Sequence, residues 1–215
     1  MSQIIKNIDR LLNSIPKAVH VVLATKYATI DDIGTISQSF PNVSFGENRV
    51  QHGEEKQNAF PAISNPWHFI GHLQRNKVKK VIHNYQLIHS VDSIRLLNEI
   101  NEQSKKSNQT TSVLLQLNPI QEESKFGFNK EGLMAASDEL LSYQNIDIKG
   151  LMTMAPFTDN MQLIKKTFKE TRDVYDNMIK YGFNFNYLSM GMSNDYKIAI
   201  EEGSNMIRVG SVVFK

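Results

Sequence analysis

Lys26, Arg208 and two small-residue segments near the C-terminus carry chemistry that their surroundings do not explain. Lys26 closes the apolar run Val19-His20-Val21-Val22-Leu23-Ala24-Thr25-Lys26. A run of that composition belongs in a core, and taking an ammonium group out of water is expensive. A desolvated lysine sheds its proton readily and forms a Schiff base with an aldehyde. The plainer reading is a strand-end lysine with its head in water. Arg208 lies inside Met206-Ile207-Arg208-Val209, where alternation puts Ile207 and Val209 on one face and Met206, Arg208 and Gly210 on the other. A guanidinium facing inward needs either an ion-pair partner or a ligand. The segments Ser189-Met190-Gly191-Met192-Ser193 and Arg208-Val209-Gly210-Ser211 end in glycine and serine. Gly191 and Gly210 permit close backbone approach, and Ser193 and Ser211 add hydroxyl donors. A helix beginning near Asn194 would aim its N–H groups at the same spot. Together these make a phosphate cup; two tight turns are the alternative.

The elements that must position these residues alternate along the chain. A starting helix over 2–14 carries Ile4, Ile5, Ile8, Leu11 and Leu12 on one stripe. Strands are expected at 19–26, 43–46, 67–70, 87–91, 112–117, 148–152, 185–189 and 206–209. Helices are expected between them at about 30–40 (capped by Thr29), 49–59, 75–83, 93–105 (capped by Asp92), 130–143, 160–181 and 194–202. Strands alternating with helices imply parallel βαβ units, and eight such strands imply a closed (β/α)8 TIM barrel with an extra N-terminal helix. An open doubly wound sheet is the competing architecture. With no linker or composition shift, residues 1–215 read as one barrel domain. In a barrel, reactive groups lie at the C-terminal strand ends, and phosphate is often held after strands seven and eight. Lys26 and the two glycine-serine segments occupy those places.

Composition removes other classes. The chain has no cysteine, which excludes disulfides, thiolate metal sites and a cysteine nucleophile. A net charge of +2 gives no argument for nucleic acid. The basic run Arg75-Asn76-Lys77-Val78-Lys79-Lys80 reads as a solvated helix face. The N-terminus lacks a signal-peptide apolar core, and no apolar run approaches a membrane span. A cytoplasmic protein is expected, with no membrane partner. His68 and His72 are four apart, but on a strand and its turn, so they do not read as a metal pair.

A strand-end lysine, a phosphate cup and an inward arginine between them fit the three ends of pyridoxal 5'-phosphate (PLP): its aldehyde, its phosphate and its ring nitrogen. A phosphosugar-binding barrel would use the same cup without the lysine.

The motifs Ala24-Thr25-Lys26, Phe45-Gly46-Glu47-Asn48-Arg49-Val50-Gln51, Trp67 to Lys77, Glu123-Ser124-Lys125-Phe126-Gly127, Gly150-Leu151-Met152, Ser189 to Ser193 and Arg208-Val209-Gly210 occur in that order. In them the chain resembles the YggS/PROSC family of PLP-binding homeostasis proteins, from about Val21 to Phe214. Thr25 stands where that family often has serine. The resemblance implies a barrel like the N-terminal domain of alanine racemase, with Lys26 as the Schiff-base lysine. It implies Ser193, Gly210, Ser211 and the Met192 backbone around the phosphate, Arg208 facing the ring nitrogen, and Asn48 and Met152 close to the ring. It further implies PLP buffering or delivery without robust catalysis, with PLP-dependent apo-enzymes as recipients. A weak PLP-dependent amino-acid racemase is the alternative. Without a second domain, a monomer is expected.

Overall fold

The computed structural model describes residues 2–122 and 125–215, so Glu123 and Ser124 of the fourth motif lie outside the described residues. Eight parallel strands close into a barrel in sequence order. They are β1 (His20–Ala24), β2 (Ser44–Glu47), β3 (Trp67–Phe69), β4 (Leu87–Val91), β5 (Thr111–Gln116), β6 (Ile146–Met152), β7 (Tyr187–Ser189) and β8 (Met206–Val209). Closure runs through β1 and β8, where Val22 stands beside Arg208. The TIM barrel expected from the alternation is the observed fold, and the open sheet is set aside.

Strand alternation sorts the side chains into two cores. Val22, Leu87, Leu114, Met152 and Met206 pack together inside the barrel. Val21, Leu23, Phe45, Ile88, Ile207 and Val209 face the surrounding helices. The lumen is therefore packed like the rest of the core, and each fully buried aliphatic side chain contributes about 1.5–3 kcal/mol. The N-terminal helix, Gln3–Asn13, buries Ile5, Ile8 and Leu11 as its stripe requires. Asn7 on its other side donates to the Val213 carbonyl at 3.0 Å, tying the first helix to the last.

Local chemistry moves several boundaries. β1 stops at Ala24, and Thr25–Tyr27 form a 3₁₀ turn instead of completing the strand. The cause is Thr25, whose single hydroxyl proton goes mainly to Glu47 Oε1 at 2.6 Å, with the Gly46 carbonyl sharing it at 3.1 Å. Helix Ile30–Ser39 has the expected Thr29 cap, completed by Asp32 into a reciprocal capping box. Helix Ile94–Lys106 is capped by Ser93, whose hydroxyl accepts from the Leu96 N–H, and not by Asp92. Ser93 is the residue with extended backbone, and Asp92 accepts from its hydroxyl. The helix expected over 130–143 divides into Lys130–Ala135 and Ser137–Ser142 at Ala136, which sits near φ −87° and ψ 4°, with Ser137 buried beyond it. In the basic run, Arg75, Lys79 and Lys80 are exposed and Val78 is buried, as a solvated face requires. Among the described residues no helix is long and apolar enough to cross a membrane.

Candidate functional site

A cavity of about 710 Å³ opens at the C-terminal ends of β1 and β8, lined by Ala24, Met192, Ser193, Arg208, Gly210 and Ser211 together with the loop from Ala155 to Asp159. Five of the eight residues singled out from sequence therefore meet in one place.

The cup is built from two loops that bond to each other. Ser193 Oγ accepts from the Gly210 N–H at 3.1 Å and the Val212 N–H at 3.3 Å. Two backbone donors thus converge on one oxygen, an arrangement that suits an anionic oxygen. The helix after β7 is Tyr196–Glu201, two residues later than the sequence suggests. Before it, Asp195 turns its carboxylate onto the Met192 N–H. Gly191 has φ +95°, and a Cβ there would lie 2.6 Å from the Ala199 Cβ. Its glycine therefore admits the neighbouring helix and not a ligand. At Gly210 a Cβ would lie 3.3 Å from Ala24 Cβ, so this glycine keeps β1 and the cup close.

Arg208 forms the floor. It is buried, and the expected inward direction is the observed one. One terminal nitrogen donates to Ser189 O at 2.9 Å and Ser189 Oγ at 2.6 Å, and the other donates to Thr153 O at 2.8 Å. Thr153 is held in turn by donating its hydroxyl to Leu117 O at 2.8 Å. All these acceptors are neutral, and among the described residues Arg208 makes no ion pair. Burial brings its pKa down to about 10, with the Asp195 carboxylate opposing that shift. Asp195 is itself raised by burial, against the Met192 N–H bond and Arg208, which favour its charge.

Lys26 is exposed, at the crest of the 3₁₀ turn, just past Ala24 of the cavity lining but not itself part of that lining. Its ammonium lies 5.2 Å from the Tyr27 ring centroid, with Lys215 against the same ring at 4.9 Å. The desolvated lysine of this region is Lys56, which sequence reasoning missed. Lys56 Nζ bonds to Glu47 Oε1 and to the Thr25 carbonyl, the latter at 2.6 Å. Glu47 also accepts from Thr25 Oγ1 and from the Asn48 N–H, so it is a structural carboxylate. This buried pair clamps the turn that carries Lys26. The signal for it was faint: Val50, Gly53 and Lys56 recur at a spacing of three on a helix otherwise polar in sequence.

Asn48 and Met152 lie outside the large cavity. Asn48 directly follows β2 and lines a smaller cavity of about 170 Å³ with His72 and Gln74. A Cβ at Gly71 would lie 2.2 Å from Asn48 O, so that motif glycine lets the two loops touch. Met152 is buried in the lumen. His68 and His72 have separate partners: His68 bonds His89 inside the barrel, and His72 stacks on Phe126 with centroids 4.2 Å apart.

A buried cation without a carboxylate, convergent N–H donors and a primary amine on the adjacent turn fit a phosphorylated aromatic aldehyde in size and chemistry. Residues 1–215 match the family described as the N-terminal domain of alanine racemase. A Pyridoxal phosphate homeostasis protein from Aquifex aeolicus is 38% identical over 79% of this chain and 75% of its own length. One of the same name from Helicobacter pylori is 35% identical over 98% of this chain and 97% of its own. Among solved structures, PipY of Synechococcus elongatus with PLP bound superposes with a TM-score of 0.91 at 28% identity, covering 99% of this chain and 100% of that one.

Proposed function

Because the chain belongs to the pyridoxal phosphate homeostasis protein family, we propose that it binds PLP as a Schiff base on Lys26 and buffers or delivers it without robust catalysis. The observation that carries this reading is Arg208, a buried cation with only neutral acceptors at the floor of a 710 Å³ cavity. In the proposed site Ser193, Ser211, the Gly210 N–H and the Met192 backbone hold the phosphate, which would replace Ser193 Oγ and Asp195 as acceptors of the Gly210 and Met192 N–H groups. Arg208 donates to the ring nitrogen, and Asn48 and Met152, which do not line the cavity of the ligand-free protein, are the neighbours the reading adds on the ring side.

PLP would supply an aldehyde to the Lys26 amine and an electron-accepting ring. Arg208 works against the second property. As a cation beside the ring nitrogen it keeps that nitrogen unprotonated, whereas a carboxylate partner would strengthen the electron sink. Racemisation also needs an acid/base group on each face of the substrate. Lys26 provides one, and neither Tyr27 nor His72 is singled out for the other. The reading takes residues 1–215 as one non-catalytic PLP-binding domain, and we propose with it a cytoplasmic monomer whose recipients are PLP-dependent apo-enzymes.

The test is the visible spectrum of the full chain titrated with PLP, alongside turnover assays with alanine and serine enantiomers. Wild type is expected to give a chromophore, Lys26→Ala to lose it, and neither to turn over substrate. Turnover abolished by Lys26→Ala would favour the weak racemase. Absence of a chromophore in PLP-saturated wild type would favour the phosphosugar-binding alternative.

A further inference from the structure

The lumen beneath Arg208 holds a line of polar side chains that the proposed function does not use. Alternation places one inward from each of four strands: His68 on β3, His89 on β4, Ser189 on β7 and Arg208 on β8. Their strand neighbours Phe69, Ile88, Leu188 and Ile207 face the outer core instead. His89 is fully buried and reaches across the barrel, its Nδ1 lying 3.1 Å from Ser189 Oγ. Its Nε2 lies 3.1 Å from His68 Nδ1. Ser189 Oγ in turn accepts from Arg208.

Counting donors fixes the direction of this line. Arginine only donates, so Ser189 Oγ is an acceptor toward Arg208. The serine has one proton left, and His89 is the remaining partner of that oxygen. Were His89 Nδ1 protonated, the serine proton would have no acceptor in a fully buried site, which proteins avoid. Ser189 therefore donates to His89 Nδ1, and His89 carries its proton on Nε2 and donates it to His68 Nδ1. Burial keeps both rings neutral: His68 is lowered to about 4, with His20 adding to the effect, and His89 is held well below its ordinary value by burial, then His68 and Arg208.

We infer that His89 is a positioning residue for Arg208. Through Ser189 it holds one terminal nitrogen of the guanidinium in place, and so sets how the arginine meets the ring nitrogen of bound PLP. The inference rests on the PLP reading for its consequence and on the ligand-free protein for its geometry.

Two measurements test it separately. In ligand-free protein labelled with nitrogen-15 histidine at pH 7, His89 is expected to show a bare Nδ1 and a protonated Nε2, with that signature weakened in Ser189→Ala. A proton on His89 Nδ1 would overturn the inference whether or not PLP binds. In PLP-loaded protein, His89→Phe is expected to move the visible band and weaken PLP binding about tenfold, the loss of one charge-assisted contact. His89→Gln is expected to restore both to within about twofold. Its amide oxygen accepts from Ser189 and its NH2 donates to His68. Identical spectra and affinities in wild type and His89→Phe, or equal impairment in Phe and Gln, would overturn it. A wild type that binds no PLP sinks the proposed function, while the tautomer result still decides the bond direction.

Discussion

Lys56 and Arg208 are both buried cations at the C-terminal ends of the strands, and they are held in opposite ways. Lys56 is neutralised by the Glu47 carboxylate and also bonds the Thr25 carbonyl. Arg208 bonds two carbonyls and a hydroxyl, with Asp195 acting on it only at longer range. A paired cation is complete and serves the architecture. A cation left with neutral acceptors retains a field that an electron-rich ligand can satisfy. Lys26, exposed on the turn that the Lys56 pair clamps, is the amine to which the proposed function assigns the reaction.

The largest effect should come from breaking the complete pair. Glu47→Ala leaves Lys56 charged and buried, and should destabilise the protein by about 3–5 kcal/mol in chemical denaturation. The double change Glu47→Leu with Lys56→Met should cost less than Glu47→Ala alone, because it removes the charges together. A double variant as unstable as the single would show that the pair matters for shape and not for charge.

Acid should act next, through the lumen. Unfolded His68 takes up its proton near 6.5, but the folded ring does so only near 4. Between those values the unfolded chain holds more protons, so stability falls as pH drops from 6.5 toward 4, by about 3 kcal/mol from this residue. Denaturation midpoints followed over that window should show the slope, and His68→Phe should make it shallower, leaving the part that buried His89 contributes.

These two effects also mark what the sequence could and could not reveal. The barrel was legible because each strand is a short apolar run bounded by turn or helix signals. Arg208 was legible because Ile207 and Val209 fix its face. The same logic applied to Leu87-Ile88-His89 would have found His89. For Lys26 the run before it left two readings open, a desolvated amine and a strand-end lysine with its head in water. The structure shows the second, because Thr25 bonds Glu47 and ends the strand two residues early. Lys56 stayed hidden because its helix reads as polar and its partner lies nine residues away on another element. Long-range polar pairing of this kind leaves almost no local pattern.

Two smaller effects sharpen the contrast at the ligand. Arg208→Met should weaken PLP binding by about 1.5–3 kcal/mol, the range for hydrogen bonds from charged groups. It should change ligand-free stability by less than Glu47→Ala does, since the desolvation penalty leaves with the charge. Titration calorimetry and denaturation of the same sample would compare the two. Ser193→Ala should weaken PLP binding by about 1 kcal/mol through the loss of one neutral hydroxyl contact. A Ser193→Ala loss equal to that of Arg208→Met would remove the distinction between floor and cup.

The most direct measurement is borohydride reduction of the PLP-saturated full chain, followed by peptide mapping. The account predicts a single reduced adduct on Lys26, absent in Lys26→Ala, with buried Lys56 unmodified. An adduct on Lys56 or another lysine, or none at all, would contradict it.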